Sequence, residues 1–220
     1  MIKKVTVIVL ALIMLISFSA CNGNKTEEVK FDWGTHEDGR YENAFFNFTI
    51  DLPEGYNYLT PQEIVDMNTE PDENGVITPT NINDIEDLSS EALVHYVYGT
   101  KYENPPLGAF NPYINIFSEN MAYSNNLYNK EDYVENSLNA TKMIFTSSGI
   151  GVQLMPLEKP WLGDRQFAKG IMKIDYDMFI MYQEMYVVTK GSYSLVILIG
   201  YSTPKEKEEL YSIMESITIK

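Results

Sequence analysis

The chain has 220 residues, with 31 Asp and Glu against 16 Lys and Arg and a formal charge of −15. That balance offers no basic footprint for nucleic acid and is repelled by an anionic membrane surface. One cysteine cannot make an internal disulfide, so a hydrophobic core must hold the fold, and 45% hydrophobic residues supply it.

Lys3 and Lys4 open the chain, and residues 5–16 form an uncharged apolar run. Ser17-Phe18-Ser19-Ala20 then shortens the side chains before Cys21. A charged start, a short apolar centre and a small-residue exit predict a secretory signal over 1–20; a membrane span needs roughly 20 apolar residues. Ser19-Ala20-Cys21 resembles the core of the bacterial lipobox, with Phe18 standing where an aliphatic residue is usual. The resemblance implies that Cys21 is lipidated and opens the mature chain on the extracytoplasmic face of a cell membrane. Two acyl chains anchor stably, at ~0.8 kcal/mol per buried CH₂. Loss of Lys3 and Lys4 leaves 14 basic residues and a charge of −17.

Residues 21–40 read as a flexible tether, polar apart from Phe31 and Trp33 and punctuated by Gly23, Gly34 and Gly39. Residues 41–220 read as one folded domain. Phe46, Phe48 and Ile50 alternate with Asn47 and Thr49 as a half-buried strand, which Leu52-Pro53-Glu54-Gly55 stops. Thr60-Pro61-Gln62-Glu63 opens a short helix with a cap, a proline at its first position and a glutamate three residues after the cap. Residues 69–90 are acidic and turn-rich, an excursion from the core. Residues 93–98 predict a central strand and 113–117 another.

Asn129-Lys130-Glu131-Asp132 caps a second helix, whose Val134, Leu138 and Phe145 make an apolar stripe. Strands are then predicted over 151–155, 166–175, 179–189 and 192–201. Lys190-Gly191 suits a tight turn between the last two. Thr203-Pro204-Lys205-Glu206 repeats the capping logic for a third helix, and 217–219 either ends it or adds a last strand. Strands joined by hairpins, without β-α-β alternation, argue an α+β fold: an antiparallel β-sheet flanked by helices.

Two stretches resemble PsbP-like domains. Tyr41-Glu42-Asn43, with Phe48-Thr49-Ile50-Asp51-Leu52-Pro53-Glu54-Gly55-Tyr56, is similar to that family's opening strand and Leu-Pro-x-Gly-aromatic turn; Tyr56 stands where Trp is common. The hairpin over 179–201, the proline-capped helix from Thr203 and Ser216-Ile217-Thr218-Ile219 are similar to its C-terminal half. The resemblance implies an αβα sandwich. It also implies a role in binding partners, since the family has no shared catalytic residues to carry over. Its members include photosystem-associated PsbP, bacterial lipoproteins and a Ran-binding protein.

No catalytic set emerges from the residues themselves. There is no Gly-x-Ser-x-Gly elbow, and Cys21 is taken by lipid. Of two histidines, His36 falls in the tether and His95 in a strand, where a half-buried hydrogen-bonded ring is expected. Two histidines and one lipidated cysteine are too few for an ordinary zinc site. No cofactor is predicted. Between Arg40 and Lys101 there are twelve Asp and Glu and no basic residue. Within that stretch Glu70-x-Asp72-x-Asn74-Gly75 with Ile77 echoes part of a calcium loop. It fails at both ends, with Glu70 in place of Asp and Asn81 in place of the closing Glu.

The reading is a non-enzymatic membrane-anchored lipoprotein, an extracytoplasmic binding or accessory module whose partner is another envelope protein or an extracellular ligand and whose calcium contact is at most weak. The acidic face and exposed tyrosines are the expected contacts. Two alternatives are a solute-capturing lipoprotein with a one-lobe pocket and a carboxylate-based hydrolase. Calorimetric titration tests the calcium loop. Affinity in the millimolar range or none is expected, since the bidentate Glu of a tight loop is missing. Micromolar binding abolished by Asp72→Ala would make this a calcium-dependent binder.

Overall fold

A computed structural model describes residues 33–68, 93–123 and 129–220. In chain order its elements are β1 (Thr35–Glu37), β2 (Arg40–Asn43), β3 (Phe48–Asp51), β4 (Asn57–Tyr58), α1 (Pro61–Asn68), β5 (Leu93–Thr100) and β6 (Tyr113–Asn120). A 3₁₀ turn (Met121–Tyr123) follows, then α2 (Lys130–Ser147), β7 (Gly151–Leu154), β8 (Trp161–Leu162) and β9 (Arg165–Gln166). The chain closes with β10 (Ala168–Tyr176), β11 (Phe179–Lys190), β12 (Tyr193–Tyr201), α3 (Pro204–Glu215) and β13 (Thr218–Ile219).

The main sheet has seven strands in the order β4-β5-β6-β12-β11-β10-β7, antiparallel throughout. Its spine is the β11–β12 hairpin, turned at Gly191 with φ +60°, where a side chain would be strained. Alternation along the strands sends side chains to two faces. On one face α2 lays Val134, Leu138 and Phe145 over Met172, Ile174, Met185, Val187 and Val196. Gly170 permits that approach, because a Cβ there would overlap Leu138 and Val134. On the other face α3 contributes Leu210, Ile213 and Met214 to a core with Ile114, Ile116, Leu195, Ile197 and Ile199. A second sheet, β1-β2-β3-β13, joins this layer through Tyr41, Phe48, Ile50 and Ile219. The fold is thus α+β, an antiparallel sheet with helices on both faces.

The caps form as expected. Thr60 N–H donates to Glu63 Oε2 at 2.8 Å, and Glu63 N–H returns a bond to Thr60 Oγ1 at 3.3 Å. Thr203 and Glu206 form a full capping box. Asn129 accepts from the Asp132 N–H at 2.9 Å.

Several expectations need correction. The tether does not run to residue 40: β1 lies within it, pairing His36 with Tyr41. Period-2 reading misses so short a strand because it has no apolar alternation of its own. The sheet is not single, since β3 joins β2 and β13 instead of the main sheet. The strand over 93–98 runs to Thr100 and has only the two-residue β4 outside it, so it is next to the edge and not central. The strand expected to start at 166 begins at Ala168, because Arg165–Gln166 turns back on Trp161–Leu162. The acidic excursion, with Glu70 and Asn81, lies outside the described residues, as does Cys21.

Urea denaturation checks the third helix. Thr203→Ala is expected to cost about 1 kcal/mol through the lost cap. Leu210→Ala is expected to cost about 2–5 kcal/mol, since that side chain is wholly buried. Equal and negligible losses would show the helix to be peripheral.

Candidate functional site

The strongest concentration of ionisable groups lies where α3 crosses the main sheet. Glu184 sits in β11 with 0% exposure, flanked across the ladder by Ile171 and Ile199. Its Oε2 accepts from Tyr186 Oη at 2.6 Å, Tyr211 Oη at 2.9 Å and Lys169 Nζ at 3.0 Å. Its Oε1 accepts from Tyr201 Oη at 2.6 Å and faces Lys207 Nζ at 3.8 Å. Lys169 reaches outward to Glu158 at 3.1 Å and to Tyr211 Oη at 3.2 Å. Its ammonium also lies 5.3 Å from the Tyr186 ring centroid, while Lys207 lies over Tyr211 at 4.9 Å.

Strand alternation puts Glu184 and Tyr186 on the same face. The β10–β11 register sets Lys169 opposite Tyr186. Helical spacing then drops Lys207 and Tyr211, four residues apart, onto the group from above. Two carboxylates and two ammonium groups cancel. Burial pushes the Glu184 carboxyl up, but the Tyr186 and Tyr201 hydroxyls and the Lys169 charge outweigh it and hold the carboxyl below its ordinary value. Burial lowers Lys169, and the Glu184 charge more than restores it. Burial first, and then Glu184, drive the Tyr186 and Tyr201 phenols far above their ordinary range, so both stay protonated donors. A glycosidase needs one carboxyl protonated and one ionised across a gap that a sugar can enter. Here Lys169 fills the space between Glu158 and Glu184 and favours the ionised form of Glu184. The cluster is built to hold α3 to the sheet.

The other groups named from sequence fall apart in space. His95 is 2% exposed in β5, its Nδ1 3.1 Å from Asn115 Oδ1 and its ring 5.3 Å from Phe117. Burial lowers its pKa to about 4 against the pull of Asn115, so it is a neutral core ring. His36 packs on Tyr41 with its Nε2 3.1 Å from the Tyr96 carbonyl. Tyr41, Tyr96, Tyr113, Tyr133, Tyr186, Tyr193 and Tyr201 are buried, and among the described residues Tyr102 is the one exposed tyrosine. Strands need large amphipathic side chains whose hydroxyls can find partners, and these tyrosines serve that need.

Among the described residues no three His, Cys, Asp or Glu converge as a metal site, and no helix is long and apolar enough to cross a membrane. A shallow polar depression lies along the β1–β2 turn, lined by Glu37, Asp38, Arg40, Glu42 and Asp51. Arg40 is already paired there with Glu42 at 3.0 Å and Asp51 at 3.5 Å.

Exposed apolar side chains gather instead at one end of the main sheet. Leu107 is 84% exposed on the β5–β6 loop and Met178 76% exposed at the tip of the β10–β11 hairpin. The two tips adjoin, since a Cβ on Gly108 would stand 2.9 Å from Met178 Cε. Behind them Phe110 meets Phe179 at 5.9 Å between centroids, and Phe179 meets Tyr176 at 5.0 Å. Glu103 on the same loop as Leu107, and Asp175 and Asp177 just before Met178 in sequence, are exposed.

No family model and no curated protein matches the chain. Similar solved structures exist. One is cyanobacterial PsbP (CyanoP) from Synechocystis sp. PCC 6803, at 8% identity and a TM-score of 0.49, with 92% of this chain and 99% of that one covered. Another is LpqN, involved in cell envelope biogenesis of Mycobacterium tuberculosis, at 11% identity and a TM-score of 0.39, with 79% and 83% covered. A protein of Bacteroides thetaiotaomicron VPI-5482 aligns at 10% identity and a TM-score of 0.37, over 79% of this chain and 45% of its own.

Sequence reasoning missed the Glu184 cluster. The available signal was one acidic residue in the otherwise uncharged run 179–188. Replacing it by Glu184→Gln is expected to cost about 3–5 kcal/mol in urea denaturation, by leaving Lys169 without its buried counter-charge. A loss below about 1 kcal/mol, the range of a surface pair, would show the cluster to be solvated.

Stability should also fall in two acid limbs. The folded pKa of His95, about 4, lies below its ordinary 6.5, so the unfolded chain binds a proton first. Stability is complete above 6.5 and declines down to about 4, by on the order of 3 kcal/mol. Glu184, also depressed, adds a loss that starts near its ordinary 4.5 and continues as pH falls through its folded value. Denaturation midpoints measured from pH 8 to 3 should show both limbs, and His95→Gln should erase only the first.

Proposed function

We propose that this chain is a membrane-tethered binding module of the bacterial cell envelope. It would be held through a lipid on Cys21, act outside the cytoplasm and perform no catalysis. The observation that carries the reading is the exposed Leu107–Met178 patch at one end of the main sheet. The sequence adds Ser19-Ala20-Cys21 after a signal-like segment. The charged groups with catalytic potential are spent on one another around Glu184, which supports binding over chemistry.

The partner fitted to the patch is another envelope protein with an apolar surface and a basic margin. Glu103, Asp175 and Asp177 supply the complementary charge. They also disfavour contact with anionic lipid, so the patch is offered to protein and not to the bilayer. Because the body carries an excess of negative charge, the anchor and not electrostatics would keep it at the membrane.

Two measurements test the reading. Cys21→Ser should move the protein from the membrane fraction to the medium or leave an unprocessed precursor. Mass spectrometry should find the mature N-terminal Cys21 carrying acyl chains; an unmodified thiol on membrane-bound protein would end the anchor hypothesis. A photo-crosslinker at Leu107 or Met178 should give an adduct of discrete mass in intact cells. The same crosslinker at Trp161, exposed on β8 beside the start of β10 and so at the other end of that strand from Met178, should not. Equal capture at all three would mean the patch is not a contact surface.

A further inference from the structure

We infer that the end of the domain where Trp33 joins it to residues 1–32 is a membrane-contact surface. Its occupant is the headgroup layer of a phospholipid bilayer, and Trp161 is its interfacial anchor. The inference rests on the Cys21 tether of the proposed function and adds an orientation to it.

Strand direction fixes which end this is. One end of the main sheet is at Ala168, Lys190, Tyr193 and Asn120, and the other at Tyr176, Phe179, Tyr201 and Tyr113. The second sheet is tied to the first of these ends. Lys190 Nζ donates to the Phe45 carbonyl, and Phe45 meets Tyr193 edge-on at 5.4 Å between centroids. The turn between β2 and β3 therefore sits there, while the chain runs on through β3 to β4, whose Asn57 pairs with Thr100 at the other end. In β1, Glu37 pairs with Arg40 and Thr35 with Glu42, so moving back along β1 leads toward the β2–β3 turn. Trp33, whose carbonyl accepts from Tyr41 Oη at 3.1 Å, continues in that direction. The chain thus enters the fold at the Lys190 end.

Trp161 lies at the same end. Glu158 is bridged to Lys169, and Trp161 pairs with Gln166, just before Ala168. The β8–β9 turn closes on β13: Asp164 N–H donates to the Ile219 carbonyl at 3.1 Å, and Lys220 N–H donates to the Asn47 carbonyl at 3.2 Å. Leu162 turns into the α3-side core, and Trp161 alternates away from it with 66% exposure. The chain has two tryptophans, and this is the exposed one. An indole joins a large apolar ring to an N–H donor, which suits the boundary between acyl chains and headgroups.

The local charge permits the contact although the whole chain carries −15. Lys159, Arg165, Lys190 and Lys220 are exposed around this end and are matched by Asp132, Glu158 and Asp164 to near neutrality. The opposite end exposes Glu103, Asp175 and Asp177, so anionic lipid repels it more. The length of the connection acts in the same sense. Residues 22–32 span at most about 40 Å between Cys21 and Trp33. Strand β12 alone runs about 30 Å, so laying the opposite end on the bilayer would use most of that length. The domain then stands on its Trp161 end, and the Leu107–Met178 patch points away from the membrane, where a partner protein reaches it.

Tryptophan fluorescence tests the contact. The full chain is purified from bacterial membranes and reconstituted into phosphatidylcholine–phosphatidylglycerol vesicles. Bromine on the upper part of the acyl chains serves as quencher. Trp33→Phe leaves Trp161 as the sole tryptophan. Its emission should shift to shorter wavelength and be quenched, and bromine near the chain ends should quench it less. A chain with Trp33→Phe, Trp161→Phe and Met178→Trp should be unquenched. Circular dichroism checks folding. If Trp33→Phe does not fold, the difference between the parent chain and Trp161→Phe reads the same position. Emission at 161 quenched no more than at 178 overturns the contact. Mass spectrometry of the vesicle-bound protein reads the tether separately: an unacylated Cys21 ends the tether, while quenching at 161 still decides the contact. A parent chain that does not sediment with the vesicles overturns both.

Discussion

A carboxylate with no exposure survives in a protein interior only if its lost hydration is replaced bond for bond. Glu184 meets that condition with two close tyrosine hydroxyls, a third from α3 and the Lys169 ammonium. The partners come from four different elements: β10, β11, β12 and α3. None of them can shift without exposing a charge to an apolar layer. The cluster therefore fixes where α3 sits, and α3 covers the face of the sheet to which β1, β2, β3 and β13 are joined.

The two faces of the main sheet are held by different means. The α2 face is apolar under the helix, with Leu138 pressed over Gly170, where no other residue type leaves room, and also buries the polar pairs His95–Asn115 and Tyr113–Gln183. The α3 face combines apolar packing with the charged cluster and a group of large rings, Tyr41 stacked on Tyr96 at 6.0 Å and Phe45 edge-on to Tyr193 at 5.4 Å. An apolar face specifies burial without specifying orientation, whereas hydrogen-bonded tyrosines fix both.

Function is pushed to the periphery by this arrangement. Inside, the ionisable groups of the cluster neutralise one another and the titratable ring of His95 is held uncharged. Among the described residues the exposed features include an apolar tip at Leu107 and Met178 and an uncharged edge at β7.

The sequence by itself determined the element types. Three capped helices, the long terminal hairpin and the antiparallel α+β class were legible, because caps, turn glycines and periodicity act over a few residues. The N-terminal signature was legible for the same reason. It did not determine that Thr35–Glu37 pairs with β2 or that β3 leaves the main sheet for β13, since a short strand is defined by its partner and not by its own pattern. Nor did it show that Glu184 is met by Lys169, Lys207 and three phenols. Those residues lie up to 42 positions apart, at Lys169 and Tyr211. Only the register of β10, β11 and β12 with the seating of α3 brings them together, and register is a property of the assembled sheet.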